Sequence, residues 1–445
     1  MTGRALRLGV AGAVLLFASA AGAAHPHVQA VGQSALGYTD NAQAVPRAED
    51  GETMRARSLF WMLSPGLVLA LESPRALQHL GYRYEYDLYF NSGTTSSSSN
   101  RLDYRGFFDL GPRVNLVLGA AATQSDRFAS VAFAAPGAGT VGAVPAGTGS
   151  FLQATADQAF SFDVAEAWRA WQSGSVVFDT PLSEAEAPTT AGAAMRLGIE
   201  RSFLADAVGA EARGDYTVIH DGVGVDGVQL GVQRQLTTGG VGLWRHDWTP
   251  ELTSNAEAGA LRVKRLNTAG RAWTPVGMAA LAYTTEDGDA QLTYAHTLAT
   301  NALLGQSLLV DEVRLRGTLA LLDEGKLALA ATCGYQNGHL LDENAELTTR
   351  VRVLLADVSL GWQATKILQL GVRFEHVDQK SGARTPPLPL SFVQNNVLLG
   401  ATLKFPPDRD MPRPYRAPRR VDRTDELRDG MRPIAEAPRG PGQAP

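Results

Sequence analysis

The stretch Leu80–Phe90, read as LGYRYEYDLYF, constrains this chain more than any other. Leu80, Tyr82, Tyr84, Tyr86, Leu88 and Phe90 take every second position, with Arg83, Glu85 and Asp87 between them. Side chains on a strand point alternately to opposite faces, so one face is apolar and aromatic and the other is charged. In a soluble sandwich the apolar face would meet a core. In a membrane barrel it meets lipid, and the charged face meets a wet lumen. A tilted strand crosses the bilayer core in about 9–11 residues, the length of this stretch.

The N-terminus bears on that choice. Arg4 and Arg7 form a basic segment, Leu8 to Ala18 is an apolar core too short to span a membrane as a helix, and Ala21-Gly22-Ala23 is an A-x-A cleavage site. Residues 1–23 therefore read as a secretory signal peptide. The one cysteine, Cys333, rules out a disulfide framework. After the signal there is no run of ~18 apolar residues, so no transmembrane helix is expected. The net charge of −5 over 445 residues argues against nucleic acid as a partner. Forty-six glycines and many short strand-like runs suggest an all-β chain with tight turns.

Strand patterns follow one another along residues 28–405. Val28–Tyr38 opens the series. Ser58–Glu72 carries Pro65 near its middle, where a bulge or bend is expected. Arg101–Leu110 alternates again, with Asp103 and Arg105 on its charged face. Val114–Ala120 follows, then a Gly/Ala/Pro-rich loop over 125–155. Phe160, Phe162, Val164 and Trp168 mark a strand ending near Trp171, and Val176–Thr180 a short one. Ala194–Glu200, Asp206–Ile219 and Gly227–Trp248 are strand-rich, and Thr237-Thr238-Gly239-Gly240 could split the last of these. Regular hairpins run from Leu252 to Phe405.

Turn lengths carry the argument further. Ser-Pro-Arg-Ala, Gly-Pro, Thr-Pro-Glu, Glu-Asp-Gly-Asp, Asp-Glu-Gly and Ala-Thr-Lys are short, whereas the alternate connections at 92–100, 125–155, 264–271, 299–308, 337–346 and 378–391 are longer. Short turns at one end and long loops at the other is the layout of an outer-membrane barrel. The expected fold is thus all-β, a transmembrane outer-membrane β-barrel of about eighteen antiparallel strands, with sixteen to eighteen admissible, over residues 24–405. If Gly227–Trp248 is one strand, the number is eighteen and both termini lie at the short-turn, periplasmic end. The surroundings are outer-membrane lipids in a Gram-negative bacterium.

Val397, Leu399, Ala401, Leu403 and Phe405 alternate and end in an aromatic. They resemble the C-terminal strand signal of bacterial outer-membrane proteins, which implies the barrel-assembly machinery as a partner. Pro406–Pro445 departs from that pattern by continuing past it. It is rich in Pro and Arg with interspersed acids, and reads as a disordered periplasmic tail.

Catalytic signals are weak. Gly222–Gly227 and Gly137–Gly142 match GxGxxG, but a nucleotide site needs the motif between a strand and a helix, so both read as loop glycines. His25 and His27 could bind a metal weakly, although a mobile new N-terminus is the better reading. His79, His220, His246, His296, His339 and His376 are scattered without a shared partner motif. No enzyme activity, cofactor or metal is expected. The candidate lumen-lining residues are Arg83, Glu85, Asp87, Asp103, Arg105, Arg314, Arg316, Arg373, Glu375 and Lys404. Facing lipid would cost an Arg or Lys ~2–4 kcal/mol at mid-membrane. Tyr82, Trp168, Trp248 and Trp362 are expected at the membrane interfaces.

Gly37-Tyr38-Thr39-Asp40-Asn41, the SLFWMLSPGL segment at 58–67, the tyrosine-rich strand and the turn parity resemble the barrel "porin" family of bacterial exopolysaccharide secretion systems. That resemblance implies a channel translocating a polysaccharide chain, acting with a periplasmic polysaccharide-export protein and an inner-membrane co-polymerase. It implies no catalytic residues. The alternative is a general or solute-specific diffusion porin, followed by a structural or enzymatic barrel. Loop 125–155, rich in Gly and Ala, is a candidate gate or plug, with a disordered external loop as the favoured reading.

Overall fold

The structure is a computed structural model, and it describes residues 25–42, 57–90, 96–127, 148–182, 188–220, 231–266, 271–301, 306–322, 326–341, 347–381 and 391–407. The strands in chain order are β1 (His25–Thr39), β2 (Ser58–Ser73), β3 (Ala76–Tyr89), β4 (Ser96–Gly111), β5 (Val114–Arg127) and β6 (Thr148–Ala165). They continue as β7 (Trp168–Pro181), β8 (Thr189–Ser202), β9 (Asp206–His220), β10 (Gln233–Asp247), β11 (Leu252–Arg265) and β12 (Arg271–Thr284). The last six are β13 (Gly288–Asn301), β14 (Gln306–Ala320), β15 (Leu327–Leu341), β16 (Leu347–Gln363), β17 (Leu368–Ser381) and β18 (Phe392–Phe405).

Each strand pairs antiparallel with its sequence neighbours, and the sheet closes where β1 pairs with both β2 and β18. The closing ladder runs from Ala30↔Phe405 to Thr39↔Asn396. Closure of β1 on β18 removes the sheet edge there, which is what lets a β-structure sit in lipid. An eighteen-stranded barrel is wide enough to enclose an aqueous lumen.

Alternation assigns the two faces. Leu36, Leu67, Leu197, Val358 and Leu399 point outward and are exposed, Leu399 by 62%. An aliphatic band of this extent is stable only against hydrocarbon. The protein is therefore an outer-membrane β-barrel, crossing with strands. No helix among the described residues is long and apolar enough to cross a membrane. Trp168, Trp248 and Trp362 lie outward at the short-turn end, and Tyr38, Trp61 and Trp273 lie outward near the other end. Tyr82 also faces outward, but six residues up β3 from its short-turn end, within the lipid-facing band.

Several sequence expectations are corrected. His25 and His27 are not a loose N-terminus, because β1 begins at His25 and pairs from His25↔Glu72 onward. Trp168 opens β7 rather than closing the preceding strand. A two-residue turn at Glu166-Ala167 separates them, and Asp163 and Arg169 form an ion pair of 2.9 Å beside it. The loop expected over 125–155 is shortened from both sides, since β5 runs to Arg127 and β6 starts at Thr148. Pro65 makes no bulge: the β2–β3 register is the same at Leu63↔Tyr86 and Gly66↔Arg83, so the ladder skips the proline and resumes. Thr237–Gly240 do not split β10, which pairs continuously with β9 and β11. Residues 1–24, 137–142, 222–227 and 408–445, which hold the proposed signal, both glycine motifs and most of the tail, lie outside the described residues.

The two faces make opposite predictions for one substitution. Leu399→Arg, at the middle of β18 on the lipid face, should destabilise the barrel by about 2–4 kcal/mol. Thr402→Arg, on the inner face of the same strand, should change stability by no more than about 0.5 kcal/mol. Guanidinium titration in lipid vesicles measures both.

Candidate functional site

The inner wall is the surface on which a barrel of this kind acts. Register follows one face around it. Val31 lies opposite both Lys404 and Gly66, and Gly66 lies opposite Arg83. Arg316 lies opposite Thr332, Thr332 opposite Asp357, and Asp357 opposite Glu375. Arg83, Glu85 and Asp87 on β3, Asp103 and Arg105 on β4, Arg314 and Arg316 on β14, Arg373 and Glu375 on β17, and Lys404 on β18 thus share the inner face. Val397, Leu399, Ala401, Leu403 and Phe405 share the outer face of β18.

Most of these inner charges are paired. Arg105 bonds Asp157 on β6 at 2.8 Å, and Arg373 bridges Asp357 at 2.5 Å and Glu375 at 2.7 Å. Arg314 meets Glu312 at 2.5 Å, and Asp103 is 3.8 Å from Arg101. Asp87 accepts from Ser97 at 3.2 Å. Arg316 is exposed on the inner face, as is Arg196 on β8. Both signs along the wall make a polar, hydrated lining rather than one attractive surface.

The tightest cluster is one that the sequence reading missed. Arg213 on β9 donates to Glu211 and to Glu257 of β11, each at 2.7 Å, and all three side chains are nearly buried. The Trp171 indole donates to Glu211 at 3.0 Å. Alternation of Glu211, Arg213 and Asp215 was the available signal.

The long-loop half of the inner wall differs. Val310, Val351, Gln379 and Phe392 point inward there and are at most 1% exposed. The chain leaving β1 joins this packing. Asn41 donates to the Val393 carbonyl at 2.8 Å, Gln394 donates to the Asn41 carbonyl at 3.0 Å, and Ala42 packs with Ala35, Phe60, Met62 and Tyr89. In this half these inward side chains are buried, whereas Arg196 and Arg316, further towards the short-turn end, are exposed. The candidate gate at 125–155 falls mostly on residues 128–147, outside the described residues.

Three of the scattered histidines form separate pairs on the outer face: His246 with Asp206 and His296 with Asp311, each at 2.8 Å, and His376 with Asn395 at 2.6 Å. Among the described residues no group of three His, Cys, Asp or Glu is placed to hold a metal ion.

Neither a protein-family model nor a curated protein matches the chain. Solved structures are similar in fold. Pseudomonas aeruginosa OccK2 (OpdF) in complex with glucuronate is 12% identical, with 85% of this chain and 98% of that chain covered and a TM-score of 0.43. Acinetobacter baumannii OccAB3 is 10% identical over 85% and 99% of the two chains, with a TM-score of 0.42. The ferric-catecholate import receptor Fiu of E. coli K12 is 12% identical over 85% and 81%, with a TM-score of 0.40. At these values the likeness is one of barrel architecture.

Removing one member of the buried cluster tests its contribution. Arg213→Leu leaves Glu211 and Glu257 without their shared cation and should cost about 3–5 kcal/mol. Arg316→Gln removes an exposed charge and should stay within about 0.5 kcal/mol. Unfolding midpoints of the two variants in the same detergent separate these outcomes.

Proposed function

We propose that the protein is a passive outer-membrane channel for small hydrophilic solutes. The observation that carries this reading is the inner wall: charges of both signs around mid-strand, as at Arg373 and Asp357, giving way to buried inward side chains such as Val310 and Val351 near the long-loop end. A hydrated polymer chain needs a lumen that is wide along its whole length, whereas a small solute can pass a short constriction. Flow is downhill, and the reading includes no catalytic step, cofactor or metal.

Polysaccharide export, with its periplasmic export protein and inner-membrane co-polymerase, rests on the family resemblance and is the rival that the same experiment detects. Purified protein in liposomes should admit monosaccharide-sized solutes, read by swelling. A deletion strain should keep its secreted polysaccharide. Lost secretion with no swelling activity would replace this reading with the export one.

The exposed inner arginines set charge preference in this reading. Arg196→Glu combined with Arg316→Glu should move the reversal potential under a salt gradient towards cation selectivity. An unchanged potential would remove these two residues from the permeation path.

A further inference from the structure

The barrel wall is not zipped along its whole length. The β12–β13 ladder runs only from Thr284↔Asp289 to Gly277↔His296. Beyond it, residues 271–276 of β12 pair with β11 alone, and residues 297–301 of β13 pair with β14 alone. Pro275 explains where the ladder fails. Thr284 donates its backbone N–H to Glu251 beside β11, so even-numbered residues of β12 bond towards β11 and odd-numbered ones towards β13. The N–H that Pro275 lacks is therefore one that β13 would have accepted.

Past that point the two edges overlap. Leu298 and Ser307 belong to the outer face of β13–β14, in register with Leu309 and Thr300. Leu298 nevertheless packs against Val241, Leu261 and Val276, which share the inner face of β10–β12. Ser307 donates to Gln235, on the inner face of β10, at 2.7 Å. An outer face can touch an inner face only if the end of β13–β14 lies inside the wall formed by β10–β12. On its own inner side this segment is covered too, with Leu308 and Val310 buried.

We propose that this overlapped seam is the closing device of the channel, a regulation of the lumen that rests on the channel reading above. In the overlapped state the circumference at the long-loop end is shortened and the mouth is narrow. Continuing the existing register would bring Thr274 opposite Ala299, withdraw Leu298 and Ser307 from the lumen and lengthen the circumference of the mouth by roughly one strand spacing, about 4.8 Å. The missing Pro275 donor keeps that zipped state from dominating, and the Ser307–Gln235 bond and the Leu298 contact hold the overlap.

Cysteine trapping in a Cys333→Ser background tests this in proteoliposomes and planar bilayers. A short reducible bridge across Gln235→Cys and Ser307→Cys should hold a single low conductance level that reductant releases. Thr274→Cys with Ala299→Cys, a facing pair in the zipped state, should form a disulfide and hold a higher level. Pro275→Val restores one backbone donor and should raise the ratio of wide to narrow states about fivefold. The proposal is overturned if the Thr274/Ala299 pair never bridges where the Gln235/Ser307 pair does, or if bridging the latter leaves current unchanged. If no form carries current, the channel reading fails, and the bridging yields still decide whether the seam moves.

Discussion

Everything in this structure follows from one requirement: in hydrocarbon, each backbone N–H and C=O must find its partner within the protein. The barrel meets it by closure, with β1 hydrogen-bonded on one side to β2 and on the other to β18. Two prolines show how local that requirement is. At Pro65 the β2–β3 ladder loses its contacts around the proline and resumes in the same register. At Pro275 the ladder does not resume, because the partner strand has moved inside the wall and its outer face has other contacts.

The same requirement organises the lumen. A charge on the inner face needs water or an opposite charge, and many of these residues have both signs within reach. Arg213 is held between Glu211 and Glu257, and Arg373 between Asp357 and Glu375. Such pairs tie β16 to β17, and β9 to β11 across β10, as well as polarising the wall. Where the inner residues are instead Val310, Val351 and Phe392, the inward side chains are buried. The channel reading and its closing seam are two consequences of where along the axis the wall changes from one to the other.

Legibility tracked the contrast between faces. β3, β4, β17 and β18 carry bulky outward residues against inner charges, and alternation located them before any coordinates. The region of β5–β7 was harder, because its outward positions include Ala120, Ala154, Ala156, Gln158 and Gly174, which do not stand out from the inner ones. That is why Trp168 was assigned to the end of one strand when it starts the next. The Arg213 cluster was missed for a different reason: Glu211 and Arg213 share β9, but Glu257 comes from β11, and only pairing through β10 brings it alongside.

The amino-acid sequence by itself determined the fold class, the strand order and which residues face lipid, because period-two alternation and turn length are local properties that a strand cannot disguise. It also placed Pro65 within a strand, without showing what becomes of its ladder. Only the tertiary structure decided that Pro65 is bridged over while Pro275 ends a ladder, that β10 is a single strand, and that Ser307 reaches Gln235. These depend on where the rest of the barrel puts the neighbouring edge, and residues 72 positions apart meet only after the intervening strands have curved into a wall.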